Sequence, residues 1–289
     1  MSQPLILITG GHGQLGSELQ ALLKLHPEFR FAATDKEDLS IDDEAAVEAW
    51  FAANKPAYCI NAAAYTAVDK AETDTELAYL INATATGILA AACKKHGTRF
   101  VHVSTDYVFD GTSSEPYTEE HPTDPINAYG ASKERGEELC MQENEESIII
   151  RTAWVYSSYG NNFVKTMQRL MKERDSLNVV SDQIGAPTYA ADLAAAIVHI
   201  ISKGLWVAGI YHYSNQGRIS WYDFAVAIRD QSGLQCDVHP ISSSQYPTPA
   251  KRPAFSLLNT AKIRSTFGIE IPEWQHSLQR CIDQLNLNR

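Results

Sequence analysis

Tyr129 and Lys133, in the run Tyr129-Gly-Ala-Ser-Lys133, are the residues whose types and spacing first suggest chemistry. On a helix, residues four apart sit about 6 Å from one another along one face. An ammonium held beside a phenol makes it easier to ionise than an isolated tyrosine, whose pKa is about 10. The pair therefore predicts a proton donor at Tyr129 that works near neutral pH. Just upstream, Arg99-Phe-Val-His-Val-Ser-Thr-Asp106 reads as a buried strand, and a Gly/Pro/Asp-rich loop follows over 110–125. Thr105 then lies at the strand's carboxyl edge, where Tyr129 must return. Tyr-x-x-x-Lys alone is more often a solvated helix face, so the case rests on the elements that position it.

The first of these is Leu5-Ile-Leu-Ile8, a short apolar run suited to a strand buried on both faces. It leads into Thr9-Gly-Gly-His-Gly-Gln-Leu-Gly16 and a helical pattern of leucines. Gly10, Gly13 and Gly16 permit a tight turn, close approach of backbone to a pyrophosphate and close helix packing, with Gln14 and Leu15 opening the helix. The next strand, 29–34, ends at Asp35, placed to grip the ribose hydroxyls of NAD. Lys36 offsets its repulsion of the extra phosphate of NADP, so both NADH and NADPH remain open. Residues 42–53 predict an amphipathic helix with Ser40 as its N-cap. A third strand, 57–60, runs into Asn61-Ala-Ala-Ala-Tyr-Thr66, where Ala62, Ala63 and Ala64 leave room for a flat ligand. Leu77 to His96 reads as one long helix closed by Gly97. Strand and helix alternate four times, which predicts an α/β fold with a Rossmann-type doubly wound parallel sheet.

Bulk properties narrow the function classes. The chain of 289 residues has a net charge of −11, which argues against nucleic-acid or anionic-membrane partners. Its 5 cysteines are scattered with no metal-ligand spacing, as expected of thiols in a reducing cytoplasm. No signal peptide is evident, and no run of about 18 apolar residues is expected to span a membrane. The expected division is a nucleotide-binding domain over 1–181 and a smaller C-terminal substrate-binding lobe over 182–289, with 190–213 packing back on the sheet. In that lobe Arg252, beside Lys251 in an acidic chain, suits a substrate diphosphate.

Taken together, the glycine turn, Asn61-Ala-Ala-Ala, Ser104-Thr-Asp and Tyr129-Gly-x-x-Lys133 resemble the extended short-chain dehydrogenase/reductases. Within them the chain resembles the dTDP-4-dehydrorhamnose reductase family. The closer likeness rests on Ala64-Tyr-Thr-Ala-Val-Asp-Lys-Ala-Glu72, Val103-Ser-Thr-Asp-Tyr-Val-Phe109, Arg151-Thr-Ala-Trp-Val-Tyr156, Gly160-Asn-Asn-Phe163, Asp182-Gln-Ile-Gly-Ala-Pro-Thr188 and Tyr246-Pro-Thr-Pro-Ala-Lys-Arg-Pro253.

The resemblance implies reduction of the 4-keto group of a dTDP-sugar by NADPH or NADH, with Thr105, Tyr129 and Lys133 as the catalytic trio. It implies cofactor contacts at Gly13 to Leu15, Asp35, Asp38, Leu39, Ala64, Tyr65 and Thr66, and substrate contacts at Thr105, Asp106 and Trp154. Tyr107 stands where related dehydratases carry a glutamate, which favours plain reduction and puts it beside the sugar. Some relatives bind magnesium between subunits through three glutamates. Only Glu18 matches here, Ala191 and Gln284 filling the other places, so magnesium and a homodimer stay open. Two other readings remain: a regulatory subunit resembling the methionine adenosyltransferase beta subunit, and a related nucleotide-sugar epimerase or reductase.

Overall fold

The computed structural model describes residues 3–287. The chain begins with β1 (Leu5–Thr9), α1 (Gln14–Leu23), β2 (Arg30–Thr34), α2 (Glu44–Asn54), β3 (Tyr58–Asn61), α3 (Val68–Ala71), α4 (Thr75–Tyr79), α5 (Ala85–His96) and β4 (Arg99–Thr105). It continues with α6 (Ala128–Glu143), β5 (Ile148–Thr152), β6 (Val155–Tyr156), α7 (Phe163–Glu173), β7 (Ser176–Val180), β8 (Ile184–Gly185), β9 (Thr188–Tyr189), α8 (Ala190–Lys203) and β10 (Gly209–Tyr213). Then come β11 (Ile219–Ser220), α9 (Trp221–Gln231), β12 (Asp237–Ile241), α10 (Ala261–Phe267) and α11 (Trp274–Leu287).

Six parallel strands form the central sheet in the order β10-β5-β4-β3-β1-β2. From β1 the chain steps one way to β2 and then back across to β3, so a crevice opens beyond the carboxyl ends of β1 and β3. Alternate strand residues serve opposite faces. Ile6, Ile8, Ile60, Val101, Ile148 and Ile150 pack with α1 and α8 on one side. Leu7, Cys59, Phe100 and Ile149 pack with α2 and α5 on the other. The expected Rossmann-type sheet is therefore present, and 190–213 supplies its outermost helix and strand.

Three expectations need correction. Residues 163–180 lie before the expected boundary at 181, yet Val164, Met167, Met171, Leu177 and Val179 share a core with Ile219, Phe224, Val238, Leu278 and Ile282. The amphipathic face of α7 is what draws this segment into the lobe. Second, α2 is capped by Asp43, whose carboxylate accepts the Ala46 N–H, while Ser40 donates to Asp42. Third, the single helix expected over 77–96 begins at Thr75 and is not uniform: a π turn over Leu80–Thr84 separates α4 from α5. This stretch is also long and apolar enough to cross a bilayer by length and composition, but 56% of its apolar span is buried. Its core packing explains that composition.

Candidate active site

The crevice begins with close backbone approach. Gly10 has φ +70, and a Cβ there would lie 2.7 Å from the Ala63 Cα. A Cβ on Gly16 would lie 2.2 Å from the Gly10 carbonyl oxygen. With those spaces empty, α1 starts hard against β1, and Gly13 caps it without a side chain, leaving backbone N–H groups able to face an anion. A cavity of about 490 Å³ opens in front, bounded by Gly10, Gly13, Gln14, Leu15, Asp35, Lys36, Leu39, Ala62, Ala63, Ala64 and Thr66. Tyr129 and Lys133 also border it. Asp35 accepts the His12 backbone N–H at 2.7 Å, tying the end of β2 to the glycine turn.

Three expected cofactor residues do not border this cavity. Gly16 lies beneath the turn it allows. Asp38 is exposed, and its carboxylate accepts the Asp35 N–H at 3.2 Å. Tyr65 donates its phenol to Asp74 at 3.0 Å. Its backbone is clamped by Asn82, which accepts from the Tyr65 N–H at 2.8 Å and donates to the Tyr65 carbonyl at 3.0 Å. Asn82 belongs to the π turn, a distortion found often at functional sites. It also donates to Ser132 at 2.9 Å, joining that backbone to α6.

Helix α6 brings Tyr129 to the end of β4. Asn127 caps it by accepting the Gly130 N–H at 2.7 Å and donates to the Lys251 carbonyl at 2.8 Å. A Cβ on Gly130 would lie 2.2 Å from the Tyr107 carbonyl oxygen, so a glycine here lets the helix press against the turn after Thr105. Tyr107 and Tyr129 consequently meet edge to face, ring centroids 5.5 Å apart.

The expected acidification of Tyr129 is reversed. Burial pushes its phenol up to about 12; the Thr105 hydroxyl lowers it and Asp106 adds to the rise. Lys133 spends its Nζ elsewhere, donating to the Val103 carbonyl at 2.7 Å and lying 3.2 Å from His102 Nε2. Burial pushes Lys133 itself down to about 8, with Glu137 and Cys140 opposing. At neutral pH the phenol therefore keeps its proton, the form that can give one away.

Thr105, Asp106, Tyr107 and Trp154 do not line the first cavity; they gather on the lobe side of Tyr129. Thr105 donates to Asp106 at 3.0 Å and accepts the Tyr107 N–H at 3.2 Å. Burial pushes Asp106 up to about 6, partly offset by the Ser256 and Thr105 hydroxyls. Trp154 leaves β5 with φ 49 and stacks on Trp221, centroids 3.7 Å apart and planes 13° apart. A left-handed tryptophan backbone is strained, and such strain concentrates at working sites. Arg252 grips Asp69 through two nitrogens at 3.0 and 2.9 Å, and its charge faces the Tyr107 phenol. It borders a second cavity of about 680 Å³ in the lobe, with Trp221, Tyr246 and Arg174.

Sequence spacing gave no sign of Asn82, Trp221 or Asp69, because each matters through a contact with a distant segment. Glu18 faces the inside of this chain. Its carboxylate accepts the Ser157 hydroxyl, and no group of three or more potential metal ligands gathers among the described residues.

Comparisons with known proteins agree with this geometry. The family model described as RmlD substrate binding domain matches residues 4–287. A dTDP-4-dehydrorhamnose reductase of Aggregatibacter actinomycetemcomitans is 45% identical, over 95% of this chain and 97% of its own. The crystal structure of a dTDP-4-dehydrorhamnose reductase from Clostridium acetobutylicum is 44% identical and superposes with a TM-score of 0.94, covering 98% of this chain and 99% of that one. The corresponding Bacillus anthracis structure, in complex with NADP, is 40% identical with a TM-score of 0.94, covering 98% of this chain and 100% of that one. A family match that leaves out only the two ends, with relatives of this identity over nearly their whole length, shows that the chain belongs to the dTDP-4-dehydrorhamnose reductase family.

Proposed function

We propose that the chain reduces the 4-keto group of dTDP-4-dehydro-L-rhamnose with NADPH or NADH, giving dTDP-L-rhamnose for cell-surface polysaccharide synthesis. The observation that carries this reading is the placing of Tyr129 and Lys133 on the wall of the glycine-turn cavity. The glycine turn, Asp35, Leu39 and the backbone of 62–66 would hold the dinucleotide, and Lys36 beside Asp35 suits the extra phosphate of NADPH. The bound cofactor supplies the hydride. Tyr129, protonated at neutral pH, gives its proton to the nascent alkoxide. Thr105, turning its hydroxyl from Asp106, hydrogen-bonds the same oxygen. Lys133 faces the nicotinamide ribose. Asp106 and Tyr107 border the sugar, the Trp154–Trp221 stack walls it from water, and Arg252 meets the diphosphate.

The chain would act as two lobes, the sheet holding cofactor and the segment sharing the second core holding substrate. All 5 cysteines are free and buried, which suits a reducing cytoplasm, where we place the protein. The test is consumption of NADPH or NADH by pure protein given the 4-keto sugar, repeated with Tyr129→Phe. Turnover by the parent and its near-complete loss in the variant are expected. No consumption by the parent would overturn the reading and favour the regulatory one.

A further inference from the structure

Thr66 ends the stretch of crevice wall that begins at Ala62, and the chain turns almost at once into α3. This short helix reaches two other places. Asp69 accepts the Ala250 N–H at 3.2 Å and both terminal nitrogens of Arg252, at 3.0 and 2.9 Å. Glu72 accepts the Ala128 N–H at 2.9 Å, one residue before Tyr129. Asn127, which caps α6, donates to the Lys251 carbonyl at 2.8 Å and closes the triangle. The cofactor wall, the loop bordering the second cavity and the first turn of α6 therefore meet at α3.

On its own α3 is weakly held. It has four residues, of which only Ala71 is buried, far below the length at which a helix is stable by itself. The side chains of Arg252 and Asp69 are 24% and 42% exposed, so their attraction is largely offset by the cost of holding both in one geometry. The place of Arg252 thus depends on how firmly α3 is already fixed. A dinucleotide laid against 62–66 would fix it, because only Ala67 and Val68 separate Thr66 from Asp69. The Val68 N–H donates to the Thr66 carbonyl at 2.9 Å, and the Ala71 N–H to the Ala67 carbonyl at 2.9 Å, so wall and helix are one hydrogen-bonded unit. Ordering one end of that unit lowers the entropy lost in ordering the other.

We propose that Asp69 is a positioning residue that couples the two ligands: cofactor on 62–66 steadies α3, α3 steadies Arg252 and the Ala250 backbone, and the substrate diphosphate binds more tightly. Arg252 keeps hydrogens for that anion. Its bonds to Asp69 and to the Ala250 carbonyl use three of the five N–H groups of a guanidinium, leaving Nε and one hydrogen on Nη2. Glu72 carries the same steadying to the turn of α6 that presents Tyr129. Such coupling is reciprocal, so the sugar nucleotide tightens the cofactor by the same factor.

This inference rests on the crevice holding cofactor and the second cavity holding substrate, and its test reads binding. Calorimetry on the full chain should show dTDP bound about fivefold more tightly in saturating NADP+ than without it. In Asp69→Asn, which gives up the charge, that factor should fall below about twofold, while each ligand alone binds as in the parent. Hydrogen exchange at the Ala250 and Ala128 amides should slow when NADP+ alone is added. In the variant Ala250 should stop responding, whereas Ala128, held by Glu72, should still slow. A structural role alone would weaken dTDP equally with and without NADP+, and that result would overturn the proposal. So would equal dTDP affinities in the parent, or an Ala250 amide there that ignores NADP+. Both ligands binding without coupling sinks this inference alone, and failure of either to bind by itself sinks the reading beneath it as well. The parent's own exchange and coupling decide the matter if the variant does not fold.

Discussion

The two sides of Tyr129 are built on different principles. The crevice side is made of backbone: glycines and alanines whose missing side chains create the space, at the ends of adjacent strands. The lobe side is made of side chains brought from far apart, Trp154 on Trp221 and Arg252 on Asp69. The crevice also carries its acids near solvent, whereas the lobe side buries Asp106. A surface of backbone fits a ligand part that never varies; one of side chains can be retuned by single substitutions.

The largest expected effect lies at the junction. Tyr129→Phe should lower kcat by about 1,000-fold, measured by NADPH absorbance, while cofactor affinity measured by fluorescence stays unchanged. Loss of cofactor binding instead would make Tyr129 part of the crevice alone. Next, Asp106→Asn should stabilise the protein by about 3 kcal/mol at pH 8, from the difference between its usual 3.8 and about 6. The folded carboxyl binds its proton more tightly than the unfolded one, so the cost of ionising it grows from about pH 4 to about 6 and holds above that. The advantage of Asn should vanish below about pH 4 in urea titrations.

Gly16→Ala forces a Cβ against the Gly10 carbonyl and should weaken NADPH binding about 100-fold, leaving dTDP binding intact by calorimetry. Trp221→Ala should do the reverse, raising KM for the sugar nucleotide about tenfold at unchanged cofactor affinity. Equal losses of both ligands in either variant would dissolve the distinction between the sides. The smallest effect is expected for Asp69→Asn, which loosens Arg252 and should raise the same KM about threefold.

This contrast also explains what the sequence could disclose. Gly10, Gly13 and Ala62 to Ala64 announce the crevice because an absent side chain at fixed spacing after a strand is a local signal. The shared helix face of Tyr129 and Lys133 is equally local. The acidity of Tyr129 was not, because it depends on where Lys133 sends its nitrogen, and the Val103 carbonyl and His102 lie on another element. Asn82 was hidden by the π turn that aims it, and Trp221 and Asp69 by the chain length between each and its partner. The capping of α2 turned on a choice among neighbouring polar residues, where Asp43 displaced Ser40.

The sheet's last strand, β10, arrives only after α7 and β7 have left for the other core. During synthesis the central sheet thus cannot finish until part of the second core has emerged, and its edge at β5 stays open until residue 213 clears the ribosome. Severing the chain at any one peptide bond between 163 and 209 would leave both fragments with an unfinished core, so the two cores form only from one unbroken chain or from fragments that find each other again.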